Sequence, residues 1–137
     1  MEFIQKHREK NILACWNYTY EEWKIFLRWK SLKKSFIHYL IYISKSGLNK
    51  TPEVLITHQR VRIGDKQEHF HTDDRQLKRI NIGDEGRMNV MEIIYEQHHY
   101  KGSFNDDIHL PVPKGKLKEA IEVEEKLNMI RNINQRG

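Results

Sequence analysis

The sequence predicts an α+β fold: a long N-terminal helix, an antiparallel sheet bent toward a partly open barrel, and a C-terminal helix packed on or into it. Three observations carry this expectation. A capped stretch of helical periodicity opens at residue 20. Short period-two segments separated by small turns fill residues 53–112, and helical periodicity returns after Pro113 and Gly115. At 137 residues, with 38% hydrophobic and 31% charged, the chain is read as a single domain, 1–137, large enough to bury a core.

Residues 11–18, NILACWNY, put Ile12, Ala14, Trp16 and Tyr18 at alternate positions, which reads as a strand. Thr19 and Glu22 then have the spacing of a capping box, with Tyr18 and Trp23 in the staple positions on either side. Neither proline nor glycine follows until Gly47, and Lys45 falls in the last turn, so the helix is expected over 20–45. On a helical wheel Ile25, Trp29, Leu32, Phe36, Leu40 and Ile43 share one narrow stripe, with Lys24, Arg28, Lys34 and Lys45 opposite. SKSGLNKTP, residues 44–52, reads as a turn-rich connector.

Beyond it the period changes to two. Strands are expected at 53–57, 60–63, 67–71, 77–82, 88–96 and 108–112, together a meander over 53–112. The breaks hold Gly64-Asp65, Thr72-Asp73-Asp74, Gly83-Asp84-Glu85-Gly86 and the run Gly102 to Asp107. Connectors this small require antiparallel neighbours, because a parallel crossover needs a dozen or more residues. Residues 116–133 give the second amphipathic helix, with Leu117, Ala120, Ile121, Leu127 and Ile130 inward.

The formal net charge of +5 is concentrated. Between Glu21 and Lys50 there are seven basic residues and two acidic ones, and elsewhere 17 of each. A basic segment of this kind points to an anionic partner more directly than a diffuse excess does. The N-terminal MEFIQKHREK has no apolar leader segment, the longest apolar run, Phe36 to Ile43, is far below the roughly 20 residues of a spanning helix, and Cys15 has no second cysteine to pair with. A cytoplasmic setting is expected, with peripheral attachment at the inner face of the membrane if the basic helix meets lipid.

Little in the chain reads as a catalytic or cofactor site. Gly115-Lys116 has Leu110 where a phosphate loop needs its first glycine and Leu117 where it needs a hydroxyl. Gly83-Asp84-Glu85-Gly86 carries acids where a phosphate would sit. Cys15 lies mid-strand as a small core residue, His98-His99 point to opposite faces, and Glu92 and Glu96 read as a polar strand face. His69 and His71, with Asp73 and Asp74 just beyond, are an alternative metal pair if 67–71 is a strand. No cofactor and no enzymatic activity are expected.

The order of elements after Pro52, ending in LPVPKGK and a terminal helix, resembles a bacterial pleckstrin-homology-like domain of the YcxB-like kind. The resemblance covers about residues 53–133 and includes the run Pro111-Val112-Pro113-Lys114. It implies a bent antiparallel sheet plugged by the C-terminal helix, and a binding or scaffolding module without family-wide catalytic residues. The basic helix at 20–45 is not part of that fold's core.

Four readings of that helix stay open. Its lysines are simply solvated, or Lys24, Arg28, Lys30, Lys33, Lys34 and Lys45, with Trp23 and Trp29, contact an anionic membrane surface or protein partner. The same residues suit nucleic acid, lysines on phosphates and aromatics on bases. Finally, the stripe Ile25, Trp29, Leu32, Phe36 has the spacing of a homodimer seam. Membrane contact leads and nucleic-acid binding is the runner-up.

Overall fold

A computed structural model describes residues 12–33 and 51–136. In chain order the elements are β1 (Ile12–Trp16), α1 (Tyr20–Lys33), β2 (Val54–Thr57), β3 (Arg60–Ile63), β4 (Lys66–His69), β5 (Arg75–Asp84), β6 (Asn89–His99), β7 (Gly102–Val112) and α2 (Leu117–Arg136). The class is α+β, as expected. The strands form two antiparallel sheets rather than one bent sheet: β1-β2-β3-β4 and β5-β6-β7. Among the described residues no sheet closes into a barrel.

The expected capping box is formed. The Thr19 amide donates to Glu22 Oε1 at 2.8 Å, and the Glu22 amide donates to Thr19 Oγ1 at 3.1 Å. The staple is present too, with the Tyr18 and Trp23 rings 5.4 Å apart. Which face of α1 turns inward differs from the wheel. Trp23, Phe26, Leu27 and Lys30 are buried, at positions i, i+3, i+4 and i+7, whereas Ile25 and Trp29 are only half-buried. The stripe Ile25, Trp29, Leu32, Phe36 was weighted by apolar residues later in the chain. Over 20–33 the staple decides, because a ring already packed at Trp23 commits the residues three and four further on. The expected continuation from residue 34 to 45 lies outside the described residues.

The hairpin between β3 and β4 turns at Gly64-Asp65, where Gly64 takes a φ of 63°. A larger difference concerns Gly102 to Asp107, expected as a turn and found as the first half of β7. β6 and β7 pair continuously from His99↔Gly102 to Asn89↔Val112, so the chain reverses over Tyr100-Lys101 alone, with Gly102 at a φ of 137°. Residues Gly102 to Asp107 are exposed on both sides, and such a strand leaves no hydrophobic alternation in the sequence.

The terminal helix packs on β5 and reaches β1, so it touches both sheets. Trp16 Nε1, on a fully buried ring, donates to Glu119 Oε1 at 2.9 Å and fixes the helix rotation. Ala120, Val123 and Leu127 fill the core with Ile130 at its margin, while Leu117 and Ile121, expected inward, are 41% and 42% exposed. Apolar residues surround the first turns of α2, so its wheel alone does not select a face. One hydrophobic cluster joins β1, α1, both sheets and α2.

Candidate functional site

Alternation along β7 sends Ile108, Leu110 and Val112 into the core and His109 to the opposite face. On β6 the core positions Met91 and Ile93 flank Glu92, which is the direct cross-strand partner of His109. α1 lies over this face. Its start is tied down by two contacts: Tyr18 Oη donates to the Pro111 carbonyl at 2.9 Å, and the Lys114 amide donates to Glu22 Oε2 at 2.6 Å. About one turn past Phe26 another apolar side chain would ordinarily follow. Here Lys30 arrives instead, 8% exposed, with Nζ 2.7 Å from His109 Nδ1.

The remaining donors and acceptors follow by elimination. An ammonium only donates, so His109 Nδ1 accepts, and the neutral imidazole carries its hydrogen on Nε2. That nitrogen faces Glu92 Oε2 at 3.1 Å and Asp107 Oδ2 at 3.8 Å. A chain therefore runs from ammonium through imidazole to carboxylate. Burial and the neighbouring Lys30 hold the His109 pKa below its ordinary value, against the pull of Asp107 and Glu92. Lys30 is also lowered, chiefly by burial, with Asp107, Glu92 and Asp106 opposing. Above the chain an aromatic series leads from Trp23 to Phe26 (5.2 Å), to Trp29 (6.0 Å) and to the His109 ring, met edge-on at 5.3 Å.

Glu92, Asp107 and His109 offer three donor atoms within 4.8 Å of one another, a spacing that a small divalent cation fits. Lys30 argues against such use. A cation on Nε2 would move the imidazole hydrogen to Nδ1, directly against the ammonium at 2.7 Å. The arrangement works better as a fastening of α1 to the sheet than as a metal centre.

The residues singled out in the sequence are distributed as follows. Lys24 and Arg28 are exposed. Trp23 and Lys30 are buried against the sheet, so in this conformation neither meets an outside surface. Trp29 is half-buried, and its Nε1 donates to Glu85 Oε2 at 3.2 Å. Lys33 closes α1 with its side chain outside the description, and Lys34 and Lys45 lie outside the described residues. β4 ends at His69, so His69 and His71 do not share a strand face as expected; Phe70 between them is buried. Arg75 Nη1 donates to the His69 carbonyl at 2.7 Å, and neither histidine belongs to the three-donor cluster found among the described residues.

His98 and His99 are exposed; His99 stacks on Phe104 at 5.3 Å, and His98 lies 3.4 Å from Glu96. Sequence reasoning missed the Lys30–His109–Glu92 chain. On the sheet side the available signal was the alternation Ile108, Leu110, Val112, which puts His109 on the far face. No family model, curated protein or solved structure matches the chain.

Proposed function

We infer that this protein is a non-enzymatic binding or scaffolding module of the pleckstrin-homology-like kind, which meets an anionic membrane surface through α1 and the basic segment that follows it. The observation that carries the reading is the division of α1 into two faces. Trp23, Phe26 and Leu27 face the sheet while Lys24 and Arg28 face outward, at the start of the segment that holds the whole charge excess. Antiparallel sheets capped by a C-terminal helix, with Pro113 and Lys114 just before it, support the family reading. No helix among the described residues is long and apolar enough to cross a membrane, so the attachment proposed is peripheral.

The test is co-sedimentation with phosphatidylserine-containing vesicles, neutral vesicles and a single-stranded oligonucleotide, each over a salt series. Binding to the anionic vesicles alone, weakening as salt rises, is expected. The double substitution Lys24→Gln with Arg28→Gln should leave the unfolding midpoint in place. It should weaken vesicle binding by about 1 kcal/mol per charge removed. Binding to the oligonucleotide in preference to vesicles, or a dimer that binds neither, would refute the reading.

A further inference from the structure

We propose that Lys30 and His109 form a pH-sensitive latch: protonating His109 sets an imidazolium against the Lys30 ammonium and loosens α1 from the three-stranded sheet. This rests on the reading of α1 as the contact element and adds its regulation. A loosened α1 carries Trp23, Phe26 and Leu27 on one side and Lys24 and Arg28 on another, the arrangement of an interfacial helix.

The geometry sets the direction. In the docked state Nδ1 must accept from Lys30 and Nε2–H faces Glu92. A second ring hydrogen can only go on Nδ1, where the ammonium already lies 2.7 Å away. The charged groups around the ring are Lys30 from α1, Glu92 from β6 and Asp107 from β7, while Asp106 of β7 acts on Lys30. β5 contributes the uncharged Asn81 opposite Glu92, and α1 also contributes the edge of Trp29. Glu92 and Asp107 lie on the Nε2 side, away from the contact at Nδ1, and favour the proton without prevailing. Burial and Lys30 prevail, so docked His109 takes up a proton less readily than it does once α1 is released, when Lys30 is gone and Glu92 and Asp107 remain beside the ring. Between the docked and released values the released state binds more protons. The His109 contribution to docking is therefore full above the released value and weakens as the pH falls below it, by up to tenfold in the opening equilibrium per unit of difference.

A second observation bears on the same face. The Trp23 indole Nε1, buried with its ring, has no hydrogen-bond acceptor among the described residues. Releasing α1 returns that N–H to water, so docking is opposed by a group that acid does not affect.

Hydrogen exchange followed by mass spectrometry on the full chain tests the latch without lipid. Rates in 20–33 are compared with those in 89–112 at about pH 7.5 and about pH 5.5, after correction for intrinsic exchange. In the wild type, exchange in 20–33 should rise at the lower pH, by up to about tenfold, while 89–112 changes little. Lys30→Met, which leaves the histidine but removes the like charge, should flatten the response, and so should His109→Gln. Unchanged protection of 20–33 in the wild type, or a full response surviving in Lys30→Met, would overturn the latch. Vesicle co-sedimentation at the same two values separates the layers. Loosening in buffer without binding to phosphatidylserine vesicles at either pH would overturn the contact reading and leave the latch standing. Binding without loosening would overturn the latch alone.

Discussion

Replacing Glu22 with alanine should destabilise the protein by about 1.5–2 kcal/mol at neutral pH. One carboxylate oxygen accepts from the Thr19 amide at 2.8 Å and closes the capping box; the other accepts from the Lys114 amide at 2.6 Å. Losing the box partner should cost about 0.5–1 kcal/mol. The second bond joins the start of α1 to the loop before α2. A buried charge-assisted bond is worth about 1.5–3 kcal/mol, and partial exposure of this one lowers it to about 1 kcal/mol. Burial raises the Glu22 pKa, but hydrogen bonds from Thr19 and Lys114 outweigh it, and the net shift is downward. A carboxyl lowered in the folded state contributes stability that is complete above its unfolded value and lost as pH falls through the folded value. The gap between wild type and Glu22→Ala in urea midpoint should therefore be full at about pH 7 and shrink as the pH falls through the lowered folded-state value. Coincident midpoints at neutral pH would refute the anchoring role. A gap of the same size in acid would mean that the lost stability has another source.

Two further outcomes follow from the packing around α1. Tyr18→Phe removes the donor to the Pro111 carbonyl inside the core and should lower stability by about 1–2 kcal/mol, read as a shift in denaturation midpoint at unchanged slope. Adding zinc, or removing metal with a chelator, should leave the wild-type thermal midpoint unmoved, because Lys30 opposes a cation on His109; a rise of several degrees with zinc would reverse that assignment.

Much of the architecture was legible because it depends on local chemistry. The capping box at Thr19 and Glu22, the Gly64-Asp65 hairpin, the change to period two after residue 53 and the terminal helix are all written in adjacent residues. What was not legible depends on partners far along the chain. The rotation of α2 follows from Trp16 meeting Glu119, 103 residues away, and a wheel of α2 alone contains nothing of that bond. The first half of β7 was hidden for a related reason. Its pairing partner is the exposed end of β6, and polar residues on both faces give no alternation. The division of the strands into two sheets likewise leaves no local mark.

The candidate site was the least legible part, because a lysine among lysines reads as surface. Among the described basic side chains of α1 Lys30 alone is buried, and it occupies the position that the spacing of Trp23, Phe26 and Leu27 assigns to the core face. Weighing the staple at Trp23 above the average of a longer wheel would have placed Lys30 inward, and the question of its acceptor would have led to His109.

Magnitudes limit what that pair can do. Burying Trp23, Phe26 and Leu27 contributes roughly 1.5–3 kcal/mol each, whereas the latch changes docking by about 1.4 kcal/mol for each unit separating the docked and released histidine. Acid alone therefore loosens α1 without detaching it. Detachment needs a second apolar environment for the same three side chains, and the interfacial region of a membrane offers one that also attracts Lys24 and Arg28. The two conditions act on one helix, so its transfer should be steepest where low pH and an anionic surface coincide.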